Sequence, residues 1–465
     1  MKKLALTLAA ISAVIVARAV DFTGPGSDVA DAANWTGSVL PSTTTAVKFP
    51  AVAIPEGGLT MSGDVKFGAT TFPAGYASPL WFDLGTHLYW ATNAAVAFKS
   101  DVVLTNGQVK CNTFSIANSK SLTLAGPGMK LNPAAACNPI DSQSVFHITD
   151  GATFTPVGNS FGVNGKSNAK FLIDRGGTFT TASMSGEYNI ATFVQSLTGY
   201  EWVFDGGTGR LFTVNWGAKS TGNLGLVKQS LFAARNNSRI TFGKNNNMNS
   251  RGFRFGFGET VAASASKMSI SNRFEVLDSY FSLSDSDGSM LFAGKYDQIL
   301  VTNSTFNSCG LTVYGSYSDY RFIDNVSVAG AISFNGSSAT NILVASGCSS
   351  FPKVTVSGVG NQLVLTNTTP SDVVTIGGRQ SKASIVNAKT AKGFTITAAS
   401  VDARLAIEGP DSHGPLTING TNAVVSVCGG SAGAVSVGGT NNVVEVTDSS
   451  PSSISLSGAD AFVHY

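Results

Sequence analysis

Two closely spaced aspartates are the first residues of this chain that could do chemistry. Asp285 and Asp287 lie within residues 284–288, and carboxylate oxygens are ligands that Ca²⁺ prefers. The remaining ligands of a helix–loop–helix calcium site do not follow, so a plain polar turn is the alternative interpretation. Apart from this possible Ca²⁺ contact, the sequence predicts no metal or cofactor.

A basic cluster is the second candidate. Its members are Arg235, Arg239, Lys244, Arg251 and Arg254. Guanidinium groups bind carboxylate and sulfate groups with two parallel hydrogen bonds. We therefore predict that Arg251 and Arg254 contact an anionic glycan; the alternative is a solvated loop over residues 244–254.

Aromatic residues form the third candidate. Trp81, Phe82, Tyr89 and Trp90 lie within ten residues of one another, and flat rings present apolar faces on which sugar rings can stack. Trp81, Tyr89 and Trp90 are the predicted glycan contacts. The alternative is that the four rings cover the N-terminal end of a core.

The chain that carries these residues begins with a segment typical of exported proteins. Lys2 and Lys3 precede an apolar run at 4–16, and Ala17-Arg18-Ala19 is a small-x-small cleavage site. This pattern predicts a signal peptide at 1–19, and no later segment is apolar enough to span a membrane. Without Lys2, Lys3 and Arg18 the formal net charge changes from +2 to −1. That balance argues against nucleic acid as a partner.

A short motif recurs through the C-terminal part of the chain. It consists of an apolar residue, Thr or Ser, a second apolar residue, a small or polar residue, and Gly. Successive copies begin 20, 20, 22, 19 and 19 residues apart. They are VTVSG at 354–358, VTIGG at 374–378, FTITA at 394–398, LTING at 416–420, VSVGG at 435–439 and ISLSG at 454–458. Six matches indicate a repeat array in which each unit packs on its neighbours.

The repeat predicts stacked β-strands. Apolar residues alternate with Thr or Ser, so one side of each strand faces inward. A second strand follows about nine residues later, and then a turn rich in Asn, Gly or Asp, which tolerate a left-handed backbone. Chains coiled in this way stack at about 4.8 Å and can form ladders of Asn side chains. We expect an all-β, parallel, right-handed β-solenoid with coils of about 20 residues.

Four segments follow from the spacing. Residues 1–19 are the signal peptide, 20–120 an N-terminal β region or cap, 121–296 an irregular β-helix with wide coils, and 297–465 regular repeats. A short helix is possible only at 228–235. No capping segment follows the last coil, so we expect either a partner, such as a second copy associated end to end, that covers it, or a longer natural chain of which this sequence is a fragment.

The repeats from about residue 297 to 465 resemble those of bacterial secreted parallel β-helix proteins, the pectin-lyase-like superfamily and autotransporter-passenger repeat proteins. The opening segment, with Asn34, Trp35 and Pro41, also resembles theirs. This resemblance implies a β-helix, and in some members a polysaccharide-cleaving site. Ser412-His413-Gly414 is similar to the Gly-His-Gly of pectin-hydrolysing glycosidases, but their paired Asp and Arg-x-Lys are absent, and an acid/base pair is what hydrolysis requires.

Two functions fit these observations. The first is a non-catalytic secreted or cell-surface solenoid with a structural, adhesive or glycan-contacting role. The second is a β-helix polysaccharide lyase or glycoside hydrolase acting outside the cell. Only 12% of the residues are charged, whereas a lyase needs a base and a cation to neutralise the uronate, so the first function is favoured.

Overall fold

The computed structural model of the protein describes residues 19–135, 137–157, 160–163, 168–180, 189–190, 197–212, 227–243, 254–257, 270–283, 289–292, 294–307, 310–335, 338–389 and 392–465. Across these residues the chain is a stack of parallel β-coils with almost no helix. The predicted all-β solenoid is therefore confirmed; its right-handed sense stays a prediction. The predicted signal peptide lies almost entirely outside the described residues.

Three parallel sheets run along the stack. Sheet 1 contains eighteen strands, which pair in chain order. They are Leu59–Thr60, Leu80–Asp83, Val102–Thr105, Ser121–Ala125, Val145–Thr149, Lys170–Asp174, Glu201–Asp205, Leu231–Arg235, Arg273–Leu277, Gln298–Thr302, Asp319–Ile323, Ile342–Ser346, Gln362–Thr366, Lys382–Val386, Arg404–Glu408, Val424–Cys428, Val443–Thr447 and Phe462–His464. At about 4.8 Å per strand, sheet 1 is on the order of 80 Å long.

Sheet 2 follows sheet 1 around each coil as far as residue 329. Its strands are Val65–Phe67, Leu88–Ala91, Gln108–Cys111, Lys130–Pro133, Thr153–Phe154, Thr178–Thr180, Thr208–Phe212, Arg239–Gly243, Tyr280–Leu283, Thr305–Asn307 and Ser327–Ala329.

Sheet 3 completes the coil in two blocks. Sheet 3N comprises Val20–Asp21, Val47–Lys48, Thr70–Phe72, Ala95–Phe98, Thr113–Ile116, Cys137–Ile140, Ser160–Val163 and Asn189–Ile190. Sheet 3C comprises Arg254–Phe257, Ser289–Phe292, Leu311–Val313, Ile332–Phe334, Val354–Val356, Val374–Ile376, Phe394–Ile396, Leu416–Ile418, Val435–Val437 and Ile454–Leu456.

The remaining elements are short. Leu197–Thr198 pairs with Val227–Lys228, and Ser431–Ala432 pairs with Ser450–Pro451. The 3₁₀ turns are Ala32–Asn34, Thr36–Ser38 and Ala51–Ala53.

Alternation within each strand builds the core. In the first five copies of the repeat motif both apolar residues are buried and the Thr or Ser between them faces outward, as the sequence predicted. In the last copy Ile454 and Leu456 are exposed. Equivalent side chains then stack from coil to coil, and Phe49, Phe72 and Phe98 form one such column with nearly parallel rings 5.0 and 5.2 Å apart. Each buried aromatic or aliphatic side chain of this kind contributes about 1.5–3 kcal/mol.

At the corner before sheet 1, buried polar side chains of one coil accept hydrogen bonds from the backbone of the preceding coil. Asn341 accepts a hydrogen bond at Oδ1 from the backbone N–H of Ser318 (3.0 Å), and Asn361 accepts one from the N–H of Asn341 (2.9 Å). All three residues are buried. Because a buried N–H without an acceptor costs about 1–3 kcal/mol, this column fixes the distance between successive coils.

The N-terminal region and the middle of the chain differ from the sequence prediction in detail. Sheet 1 continues across residue 120, since Val102 pairs with Leu122, so residues 59–120 are coils of the solenoid as well. The segment 228–235 contains the strand Leu231–Arg235 rather than a helix, because Phe232 and Ala234 alternate into the core. Coil length reaches 42 residues between Leu231 and Arg273.

Candidate functional site

A polar groove of about 510 Å³ lies at the corner between sheets 1 and 2, where the coils are widest. We call it the central groove. Its lining comes from five successive turns of the chain: Asn237, Ser238, Arg239, Asp278, Ser279, Tyr280, Asn303, Ser304, Thr305, Asn325, Ser327 and Ser349. The stacking of coils thus brings residues more than 100 positions apart in the sequence into one surface.

Left-handed corner residues form one wall of the groove. Asp278, Asn303 and Asn325 have φ angles of +47°, +45° and +55°, which Asn and Asp tolerate better than most residues. Asn303 Nδ2 donates to Asp278 Oδ1 at 2.8 Å, and Asn325 Nδ2 donates to Asn303 Oδ1 at 3.4 Å. The predicted ladder of stacked amide side chains is therefore present, and its outer atoms face the groove.

An arginine stacked on a tyrosine forms another part of the lining. Arg239 and Tyr280 are paired neighbours in sheet 2, and the guanidinium carbon lies 4.0 Å from the centre of the Tyr280 ring. This cation–π contact holds the guanidinium against the Tyr280 ring and keeps it beside the groove. Arg239 therefore offers oriented N–H donors, and Tyr280 a hydroxyl, to a bound molecule.

These groups suit a hydroxyl-rich ligand. Amide, hydroxyl and guanidinium groups can donate or accept hydrogen bonds with sugar hydroxyls, and Arg239 can also pair with a sugar carboxylate or sulfate. Among the described lining residues, Asp278 is the carboxylate, and it already accepts a hydrogen bond from Asn303. Hydrolysis of a glycosidic bond ordinarily uses two carboxyl groups facing one bond.

The predicted aromatic cluster is divided between the core and the surface. Trp81 is 55% exposed on the outside of sheet 1, whereas Tyr89 is 1% exposed and its hydroxyl hydrogen-bonds Thr70 at 2.7 Å inside the coil. Trp90 is partly buried on the outside of sheet 2, with Lys66 Nζ 4.9 Å from its ring centre. Tyr89 is therefore corrected from a glycan contact to a core residue, because adjacent strand residues point to opposite sides.

Trp81 borders a second pocket near the N-terminus. This pocket measures about 540 Å³ and includes Val52, Tyr76 and Trp81 in its lining. The Tyr76 hydroxyl donates to the carbonyl of Phe49, so that ring is fixed. The N-terminal end of the core is covered by Phe22 and Trp35, whose rings meet edge to face at 5.4 Å, rather than by the Trp81 cluster.

The predicted basic cluster is only partly described. Arg251, Asp285 and Asp287 lie outside the described residues, and Arg254 is described as part of the strand Arg254–Phe257 but without its side chain. Their roles in glycan or Ca²⁺ binding stay predictions. Arg235 pairs with the buried Glu275, which Arg273 also contacts. Within the part of the chain that the structure describes, no group of three His, Cys, Asp or Glu residues could hold a metal ion.

His413 and the cysteines lie away from the central groove. His413 is buried at a corner beside Ala432, and burial lowers its pKa although Asp411 acts in the opposite direction. Cys111 and Cys348 are buried, and burial raises the pKa of the Cys348 thiol to about 11. Cys428 is exposed.

Tyr280, Asn303 and Asn325 were not predicted as site residues. The Asn, Gly or Asp that recurs after the sheet 1 strands is visible in the sequence, but it indicates a turn rather than a site. What gives these residues a common surface is the register between coils of unequal length, which only the structure supplies.

The comparisons with known proteins are sparse. No protein-family model matches the chain, and no curated protein matches it significantly. Among solved structures, that of the Streptococcus pneumoniae surface protein and adhesin PfbA aligns with this chain at 10% sequence identity and a TM-score of 0.18. The alignment covers 86% of this chain and 91% of the PfbA chain. An alignment of this quality supports no conclusion about either fold or function. In the described residues, no helix has the length and apolar character needed to span a membrane.

Proposed function

We propose that this protein is an exported, cell-surface or secreted β-solenoid that binds a glycan in the central groove without cleaving it. The observation that carries the proposal is the row of oriented polar groups over successive coils, with Arg239 stacked on Tyr280 beside Asp278 and Asn303. The hydroxyl groups of a glycan can pair with the amide, hydroxyl and guanidinium groups that these coils present.

Export is part of the same proposal. The basic n-region, the apolar run at 4–16 and the small-x-small site support secretion, and the scarcity of charge is typical of stacked β-structure outside the cell. The resemblance of the repeats to bacterial secreted β-helix proteins supports the same location. Adhesion or a structural role in a matrix would follow from glycan binding by so long a surface.

Cleavage of the glycan is the alternative, and one observation favours it. A carboxylate and a guanidinium, those of Asp278 and Arg239, lie in the same groove. A lyase combines a base with a cation that stabilises the uronate. The hydrogen bond from Asn303 occupies Oδ1 of Asp278 and fixes the orientation of this carboxylate, which favours a binding role over proton abstraction.

Binding by the full chain tests the proposal. Calorimetric titration with neutral and uronate-containing polysaccharides should find a ligand whose affinity falls at least tenfold in Arg239→Ala and in Tyr280→Ala, since charge-assisted and stacking contacts contribute about 1–3 kcal/mol each. Asn422→Ala is the control. Asn422 occupies a left-handed corner and donates a 3.1 Å hydrogen bond to Asp402, and neither residue lines the groove.

Two results would contradict the proposal. Equal affinities in the groove variants and in Asn422→Ala would place the binding site elsewhere. An increase in ultraviolet absorbance from unsaturated sugar products, lost in Asp278→Asn, would instead establish the lyase.

A further inference from the structure

Two stacked tyrosines lie on the outside of the solenoid at the corner where sheet 3C leads into sheet 1. Tyr296 and Tyr317 occupy the same position in successive coils, with ring centres 5.5 Å apart and planes inclined by 24°. Their exposed fractions are 54% and 52%. Two large aromatic rings are therefore held side by side in contact with water.

The backbone at this corner makes tyrosine an unexpected choice. One residue per coil adopts a left-handed conformation here, and its N–H donates to a carbonyl of the next coil, as Tyr296 does to Ser316 (3.2 Å) and Tyr317 to Ala339 (3.0 Å). The φ angles of the two tyrosines are +59° and +58°. A bulky residue in this region is an outlier, whereas Gly, Asn and Asp adopt it readily.

Most other coils use residues that suit the position. Five coils place Gly, Asp or Asn at the equivalent corner with positive φ: Gly360, Asp402, Asn422, Asn441 and Asp460. Ser271, Thr340 and Gln380 adopt the same conformation there, but the two tyrosines are the bulkiest residues at this position in the described coils. Asn441 Nδ2 also donates to Asn422 Oδ1 at 3.3 Å, which continues the side-chain ladder. Tyrosine gives up both the conformational preference and this hydrogen bond. Strain retained at an exposed site is a reason to look for a binding role.

The pair lies in the coils that carry the central groove. The strand Gln298–Thr302 joins Tyr296 to Asn303, and Asp319–Ile323 joins Tyr317 to the corner that contains Asn325. At about 3.3 Å per residue, the tyrosines and the groove are on the order of 20 Å apart across sheet 1. The surface between them carries Arg321, which is held by a 2.8 Å hydrogen bond to Asp319.

We propose that Tyr296 and Tyr317 are a second contact for the same glycan, which crosses sheet 1 perpendicular to the solenoid axis from the central groove to the tyrosine pair. This inference rests on the proposed function, because it extends the same site. Stacking of apolar sugar faces on the rings supplies affinity, while the groove supplies the hydrogen bonds. A long chain engages both contacts at once, and the second contact is then intramolecular and strengthens binding.

Chain-length dependence tests the inference. We would compare a long polysaccharide with the shortest oligosaccharide that binds the groove, using the full chain and the double variant Tyr296→Asn/Tyr317→Asn. Two lost stacking contacts should weaken binding of the long chain roughly tenfold or more and leave the short ligand within about twofold. Hydroxyl-radical footprinting should show protection of both tyrosines by the long chain only.

Asparagine is the informative replacement because it favours the left-handed backbone. The variant should therefore unfold at the same temperature as the wild type or higher, so that weaker binding cannot be attributed to misfolding. A lower unfolding temperature would overturn the argument from strain.

Several outcomes separate this inference from the proposed function. If no glycan binds in a manner sensitive to Arg239→Ala, both fail. If the groove binds but the long chain loses no affinity in the tyrosine variant, or the short ligand loses as much, the second contact alone fails. A change in sedimentation rather than in glycan affinity would make the pair an interface between two copies of the chain and would overturn the inference.

Discussion

The recurring glycine of the repeat can be required by its left-handed backbone or by the close approach of the neighbouring coil. Replacement of one such corner glycine by alanine separates the two causes. Gly378 and Gly37 have nearly the same φ, +78° and +79°. A Cβ at Gly378 would lie 2.0 Å from the carbonyl oxygen of Gly358 in the preceding coil, whereas a Cβ at Gly37 meets nothing within 4 Å. Both alanine variants therefore lose stability from the left-handed backbone, but only Gly378→Ala also loses stability from a steric clash with the preceding coil.

The size of the difference follows from these distances. A left-handed conformation costs an alanine about 1–2 kcal/mol, and both variants lose this amount. An ordinary contact requires more than 3.4 Å, so Gly378→Ala must also displace a backbone carbonyl by more than 1 Å. Overpacking of this kind costs a further 1–3 kcal/mol or more. We expect a loss of about 1–2 kcal/mol for Gly37→Ala and about 2–5 kcal/mol or more for Gly378→Ala.

Guanidinium unfolding followed by circular dichroism would measure both losses. Because coils of a solenoid can unfold separately, hydrogen exchange in the strands Val374–Ile376 and Lys382–Val386 should report the local part of the effect. The reasoning is refuted if Gly378→Ala is no less stable than Gly37→Ala, or if exchange in these two strands is unchanged.

Two further predictions concern buried titratable groups. Burial lowers the pKa of His413 from its ordinary 6.5, so the unfolded chain binds more protons below that pH; stability should fall as the pH drops below about 6.5 and level off under the folded pKa. Urea unfolding as a function of pH checks this, and a slope that persists in His413→Asn would contradict it. A maleimide at pH 8 should label Cys428 in the native protein but leave Cys348, whose pKa is about 11, unlabelled until denaturation. Peptide mapping distinguishes the two, and native labelling of Cys348 would refute its burial.

The sequence predicts the repeat well because it is local and periodic. Even the exception at Ala398 has a structural reason. Five residues separate Val374–Ile376 from Lys382–Val386, but seven separate Phe394–Ile396 from Arg404–Glu408. This longer corner is also the source of the 22-residue spacing after residue 394. Ala398 does not have the positive φ that Gly378 has, so no glycine is required.

The division of the aromatic cluster between core and surface follows from local sequence. Tyr89 and Trp90 are adjacent in one strand, so the period of two residues already places their rings on opposite sides. Trp81 lies in sheet 1 and Trp90 in sheet 2. Strands at these positions are incompatible with one flat surface formed by Trp81, Tyr89 and Trp90.

The central groove could not be predicted in the same way. Arg239 meets Tyr280 across 41 residues and Asp278 meets Asn303 across 25, and the first of these intervals includes an irregular coil whose length has no counterpart in the repeat. No periodicity fixes the register of such a coil. The physical constraint is the stacking of the flanking strands, which each contain an aromatic core residue such as Phe232 or Phe274, 5.2 Å apart with nearly parallel rings.

A solenoid offers the same set of positions in every coil, and this determines where specificity can arise. Core positions and corner conformations must be kept, so a binding surface is made by changing exposed residue types at one position over successive coils. The groove corner does this with Asp278, Asn303 and Asn325, which retain the left-handed backbone and combine one carboxylate with two amides. The opposite corner does it with Tyr296 and Tyr317, which retain the conformation against their own preference. The exposed residue types at one corner position over successive coils, rather than the buried part of the repeat, are therefore the features that indicate function.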